Sequence, residues 1–147
     1  MTIKLIWSEV VFLGVILDEH IPWRPHISHV ARKISKSIGI IYKSSFYLSK
    51  SSLYTLYYSL VYPYLQYCII VWGSMYPTNL NRIVLLQKRA VRIVSKEAFD
   101  AHTDPVFHEL KILKFEKISL LHLGKFMYSY KNNRLPRRFI PTYKWRP

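Results

Sequence analysis

Between Lys50 and Arg82 the chain carries no charged residue, and apolar or aromatic side chains recur there every three or four positions. Leu53, Leu56, Leu60, Tyr64, Tyr67 and Val71 share one face of a helix with about 3.6 residues per turn. Tyr54, Tyr58, Tyr62, Ile69 and Ile70 cover much of the remaining circumference, so residues 51–73 read as buried nearly all round. Such a segment is either the central element of a helical domain or a membrane span. A span needs roughly 20 mainly apolar residues. The length is present, but Thr55, Ser59, Pro63 and Gln66 would lie at mid-bilayer together with tyrosines, which prefer the interfaces. The buried helix is therefore the leading reading and a span at 51–73 the alternative. Pro63 cannot donate to the Ser59 carbonyl, which predicts a kink or break. Gly73 predicts a stop, and Ser49 or Ser51 an N-cap. Cys68, inside the apolar run, is expected to be a small core residue.

The flanks have clearer periods. Residues 10–17, rich in β-branched side chains and interrupted by Gly14, predict a short buried strand with an antiparallel partner at 3–7. Residues 18–25 hold Pro22 and Pro25 and predict a turn anchored on the core by Trp23. From His26 the period becomes helical: Ile27, Val30, Ile34, Ile38 and Ile41 mark the inner face, with Arg32, Lys33, Lys36 and Lys43 mostly outside. Serines at 44–49 end that helix. A loop at 74–79 precedes the most amphipathic stretch, residues 80–96, with Thr78 or Asn79 as its cap. There Ile83, Leu86, Ala90, Ile93 and Val94 share one side, while Arg82, Lys88, Arg89, Arg92 and Lys96 cluster within roughly 120° on the other. Asp104 and Pro105 predict the cap and first position of a short helix at 106–110. A last helix follows at 116–130, with Ile118, Leu121, Met127 and Tyr128 inward. The predicted fold is mainly α: a short N-terminal hairpin or strand (1–25), a helical region (26–131) and an irregular basic tail (132–147).

Charge narrows the function. The 147 residues carry 22 Lys and Arg against 8 Asp and Glu, a formal charge of +14, which points to a polyanionic partner, nucleic acid or an anionic membrane. A basic helix face without interleaved acids exceeds ordinary solvation, although solvation alone is the plain alternative. The single cysteine excludes an internal disulfide or a cysteine zinc site. His26 and His29 would share a helical side, but no third ligand stands near them in sequence. Asp18 and Glu19 form the one adjacent acidic pair, in a turn, and Asp18 reads as a turn residue. A nucleophile elbow and a phosphate-cradling glycine loop are both lacking. Residues 1–15 lack a basic n-region and a small-residue cleavage site, so an intracellular protein is expected.

Four blocks in order carry a family resemblance. Phe12-Leu13-Gly14-Val15-Ile16-Leu17-Asp18 with Trp23 and His26-Ile27 is the first. The second is Tyr57-Tyr58-Ser59-Leu60, Tyr62-Pro63-Tyr64-Leu65, Tyr67-Cys68 and Val71-Trp72-Gly73. Leu85-Leu86-Gln87-Lys88-Arg89-Ala90-Val91-Arg92-Ile93 is the third; the fourth runs from His102-Thr103 through Pro105, Phe107 and Leu110 to Ile112-Leu113. Together, over about residues 12–136, they resemble non-LTR (LINE-type) retrotransposon reverse transcriptases, with the jockey-type clade nearest.

The resemblance implies the end of a palm followed by a thumb-like bundle. The paired-Asp motif, the fingers and most of the palm are absent, and Met1 reads as an accidental start in a truncated or misread frame. The expected function is that of a polymerase fragment gripping template–primer duplex, without catalysis or cofactor of its own; the parent enzyme would use Mg. Its partner would be an RNA–DNA hybrid or other duplex, held through backbone phosphates without sequence preference. Arg82, Lys88, Arg89, Arg92 and Lys96 are the first candidates, with Arg32, Lys33 and Lys36 second. Two other readings stand beside this one: a basic membrane-associated protein, and a pseudogene product that does not fold stably because the apolar side of residues 10–17 is uncovered.

Overall fold

In a computed structural model, residues 9–18 and 23–136 of the chain are described. Strands β1 (Glu9–Phe12) and β2 (Val15–Asp18) form an antiparallel hairpin, Glu9 opposite Asp18 and Phe12 opposite Val15. Seven helices follow among the described residues: α1 (Arg24–Ser44), α2 (Lys50–Leu60), α3 (Tyr62–Gln66), α4 (Ile69–Trp72), α5 (Pro77–Ser95), α6 (Thr103–Glu109) and α7 (Phe115–Lys131). The mainly α class with a short N-terminal hairpin is as expected.

The hairpin departs from the prediction in detail. Its turn is Leu13-Gly14, inside the apolar run, and both residues have positive φ (47° and 79°), the signature of a tight two-residue hairpin turn. The Tyr67 hydroxyl donates to the Leu13 carbonyl at 2.6 Å and pins that turn. The predicted partner at 3–7 and residues 19–22 of the predicted turn lie outside the described residues. Nor is the run buried: Val15 is, Leu17 packs partly on the core, and Val10, Val11, Phe12 and Leu13 are exposed. Val10 and Phe12 lie opposite Leu17 and Val15 and share their face, so it is β2, packed on α1, that reaches the core, while β1 lies further out.

Trp23, buried as expected, sits in the left-handed region at the start of α1. Its carbonyl accepts from the Ile27 amide at 2.8 Å, and Pro25 lies in the first turn, where a missing N–H costs nothing. The predicted inner face of α1 is the observed one: Ile27, Val30, Ile34, Ile38 and Ile41 are all buried, packing chiefly on α5. Ser49 caps α2, its hydroxyl accepting from the Ser52 amide at 3.2 Å.

The central segment is three helices. Pro63 falls in the first turn of α3 and produces the break before it. The second break, at Tyr67-Cys68, has no proline: Cys68 takes a left-handed φ of 51° and opens α4. The buried set is consequently Leu53, Tyr57, Val61, Leu65, Ile69 and Trp72. Of the predicted face only Leu53 is fully buried; Leu56 and Leu60 are half-buried, and Tyr64, Tyr67 and Val71 are exposed. Where nearly every position is apolar, several stripes fit a helical period equally well, and the choice falls to the neighbouring helices. Cys68, half-buried, is a joint residue more than a core one. No described helix is long and apolar enough to cross a membrane.

Gly73 ends α4, but with φ of −76° and no left-handed turn. A Cβ there would stand 2.5 Å from the Ile69 carbonyl oxygen and 2.9 Å from the Ser119 Oγ, which donates to the Gly73 carbonyl at 3.2 Å. Glycine is required chiefly by the Ile69 carbonyl of the preceding turn, with Ser119 of α7 closing the remaining space, and not by a left-handed helix stop.

Three boundaries also shift. Tyr76, not Thr78 or Asn79, precedes α5, because Pro77 takes the first helical position. α6 begins at Thr103, placing Asp104 and Pro105 inside its first turn instead of at its cap. α7 begins at Phe115, with Phe115 and Ile118 buried and Leu121, Met127 and Tyr128 exposed. The predicted inward face of α7 is thus bare beyond its first turns. Of the predicted tail, residues 137–147 lie outside the described residues.

Candidate nucleic-acid interface

α5 holds the candidate interface because two different faces fit its sequence. Leu80, Ile83, Ala90, Val91 and Val94 are buried, and Leu86 and Ile93 pack partly on the core. The one long polar side chain on the inner face, Gln87, makes three hydrogen bonds. Its Nε2 donates to the Tyr57 hydroxyl at 3.0 Å and to the Leu113 carbonyl at 2.8 Å, while its Oε1 accepts from the Phe115 amide at 2.8 Å. One amide thereby joins α2 to α5 and to the start of α7. Burial raises the Tyr57 phenol well above its ordinary range, partly offset by the Gln87 hydrogen bond. This locks the rotation of α5 about its axis and so fixes which way its cations face.

The five predicted cations of that helix fall into three groups. Arg82, Arg89 and Lys96 are exposed. Seven-residue steps put them on one nearly axial stripe, about 21 Å from first to last. Arg92 is half-buried and donates from Nε to the Ala101 carbonyl at 2.8 Å, holding down the loop after α5. Lys88 is half-buried beside Asp104, in a cleft of about 310 Å³ that also takes in Lys114 and Glu116. Lys96 has a φ of 59°, the left-handed C-terminal position where glycine is usual, and its amide reaches back to the Ile93 carbonyl at 3.2 Å. A cation there meets the negative end of the helix dipole, which offsets part of the strain.

On α1, Arg32, Lys33 and Lys36 are exposed and turned away from the core. They stand on a different helix from the α5 stripe. Among the described residues the one ion pair is Lys114 Nζ to Asp104 Oδ1, 2.8 Å, so none of the eight predicted cations is neutralised by an acid there. The Lys114 hydrogen bond and charge lower the Asp104 carboxyl below its ordinary value. Reasoning from sequence misses Gln87, whose signal is a lone amide on an apolar stripe. It also passes over Lys111, Lys114 and Lys117, a cationic run at three-residue spacing across what reads as a connecting turn.

His26 is buried between Trp23 and Trp72, its ring edge-on to both at 6.3 and 5.6 Å. Its Nδ1 accepts from the Ile16 amide at 3.3 Å, tying β2 to α1, and its Nε2 has no partner among the described residues. Burial, then the nearby His29, lowers its pKa. Among the described residues no three His, Cys, Asp or Glu side chains come together to hold a metal ion.

A hairpin leading into a helical bundle with a cationic outer helix defines the structural class; comparison with known proteins supplies the relatives. No protein-family model matches the chain, and no solved structure matches it. The chain is 25% identical over 143 aligned positions to the probable RNA-directed DNA polymerase from transposon BS of Drosophila melanogaster, covering 92% of this chain and 16% of the relative. It is 31% identical over 109 positions to the RNA-directed DNA polymerase from mobile element jockey of Drosophila funebris, covering 72% and 12%. With the probable RNA-directed DNA polymerase from transposon X-element of Drosophila melanogaster it shares 22% identity over 104 positions, covering 69% and 12%. All three are non-LTR retrotransposon polymerases, so the resemblance carried by the four sequence blocks is borne out. The chain spans about one sixth or less of the length of these relatives.

Proposed function

We propose that the chain is a piece of a non-LTR retrotransposon RNA-directed DNA polymerase, its thumb-like helical region, which grips template–primer duplex through backbone phosphates. The observation that carries this reading is the exposed stripe Arg82–Arg89–Lys96, unpaired among the described residues, on a helix whose rotation Gln87 holds. Lysine and arginine on a rigid helix neutralise phosphates and release counterions without reading bases. Arg32, Lys33 and Lys36 form the second set. Lys88 and Arg92 rank lower than the exposed three because both are half-buried and Arg92 is already bonded to the Ala101 carbonyl. Magnesium-assisted phosphoryl transfer needs carboxylates that converge on the ions. The described residues bring no such cluster together, so no step of that chemistry is assigned to them.

The test is binding of a labelled RNA–DNA hybrid across a salt series. Log affinity should fall linearly with log salt, and charge reversal at Arg82, Arg89 and Lys96 should flatten the slope by about 0.9 for each phosphate no longer neutralised. An unchanged slope would remove α5 from the interface.

A further inference from the structure

Away from α5, a furrow runs along α6 and α7. One part of about 580 Å³ lies against His108, Lys111 and Lys114, and a second of about 780 Å³ lies against Leu121, Gly124, Lys125 and Tyr128. The two meet at Leu113 and Lys117, which line both. The edge is cationic. Asp104, the one acid lining either part, is taken by Lys114 at 2.8 Å.

The floor is apolar and open, with Tyr128 57% exposed and Arg134 5.4 Å from its ring. Gly124 stands on this floor in mid-helix, with nothing within 4 Å of where its Cβ would be. A glycine inside a helix weakens it. No neighbour among the described residues explains this one, and its smallness leaves the helix backbone bare. Lys111, at the edge, keeps a left-handed φ of 51° that glycine would adopt more easily.

We infer that this furrow is a second binding site, for a single nucleic-acid strand whose phosphates meet Lys111, Lys117 and Lys125 and whose bases lie over Gly124 and Tyr128. The choice of nucleic acid as the polyanion rests on the function proposed above. The choice of a single strand rests on the floor: unstacked bases offer flat faces to apolar and aromatic surface, whereas a duplex offers phosphates and hides its base faces. Lys117 and Lys125 are about 12 Å apart along the helix, the length of about three stacked nucleotides. A second copy of this chain would bring two cationic edges together and is disfavoured by charge.

The experiment uses the full chain with a labelled 12-nucleotide oligouridylate and, separately, an RNA–DNA hybrid. Gly124→Leu fills the floor without changing charge and replaces glycine by a better helix former, so the variant should fold; a thermal melt checks that it does. Single-strand affinity should drop about tenfold or more, with hybrid affinity within twofold of the parent. The charge reversal at Arg82, Arg89 and Lys96 should do the opposite. Unchanged or tighter single-strand binding in Gly124→Leu overturns the inference, as does an equal loss on both ligands, which would make the furrow part of one general cationic surface. Self-association that Gly124→Leu abolishes would identify a second copy as the occupant and also overturn it. If the α5 reversal leaves hybrid binding intact while Gly124→Leu still costs single-strand binding, the α5 assignment falls and the furrow stands.

Discussion

Gln87 is 1% exposed and answers three separate backbone and side-chain partners. Replacing it by leucine keeps the volume and strands the Leu113 carbonyl, the Phe115 amide and the Tyr57 hydroxyl in the core. An unsatisfied buried polar group costs about 1–3 kcal/mol, so Gln87→Leu should destabilise the protein by several kcal/mol, against about 1 kcal/mol for Tyr57→Phe. Urea denaturation of the two single variants and the double variant would measure the coupling, and fully additive losses would show that the Tyr57 bond is idle. His26 gives a different signature. Its pKa is lowered by burial, so below the ordinary value of 6.5 the unfolded chain binds more protons than the folded one. The stability that neutral His26 allows is complete above pH 6.5, erodes as pH falls from there, and stops eroding below its folded pKa. Asp104, lowered by Lys114, loses its contribution only in the more acid range below 3.8. In denaturation curves taken from pH 7.5 to 3, His26→Asn should remove the upper limb and leave the lower one in place.

At the scale of the element, legibility follows contrast. α1 and α5 alternate apolar and charged positions, and their buried faces are readable because a wrong rotation would bury lysine or arginine. The segment that forms α2, α3 and α4 has no such contrast. Its true stripe through Tyr57, Val61 and Leu65 cannot be told from its neighbours, and the break at Cys68 has no proline or glycine to announce it. α7 misleads for another reason: its apolar positions are real, but beyond Ile118 the predicted ones, Leu121, Met127 and Tyr128, are exposed. The cationic face of α5 is legible in sequence, whereas its division into exposed and half-buried cations depends on the segment after α5, where Ala101 accepts from Arg92 and Asp104 lines the cleft beside Lys88. Lys96 illustrates how stability and binding can part. Lys96→Gly relieves a left-handed φ, so stability should rise by about 1 kcal/mol. Hybrid binding should nevertheless weaken, and its salt slope should flatten by about 0.9. Paired melting and binding curves would check both halves, and a slope equal to the parent's would show that Lys96 serves only to end the helix.

For the whole molecule, besides the α7 furrow, one apolar surface lies open on a body of charge +14: strand β1 and its turn (Val11, Phe12 and Leu13). A patch of this kind on a chain that spans so little of its relatives' length fits a part that packs against further protein. The core itself is continuous from Val15 to Ile118, through every helix, and the Gln87 bonds cross it. The described body should therefore melt as one cooperative unit at low salt, where like charges hold copies apart. At about 1 M salt the screening length shrinks to about 3 Å, the repulsion is lost, and the open hairpin edge should drive association. Light scattering at matched concentrations should rise with salt, and Val11→Lys with Phe12→Lys should suppress the part that arises from the hairpin, since charge on an exposed strand blocks edge pairing. A broad, non-cooperative melt at low salt would instead favour a chain that does not fold stably. Scattering that falls as salt is added would show that charge, not apolar surface, brings the copies together.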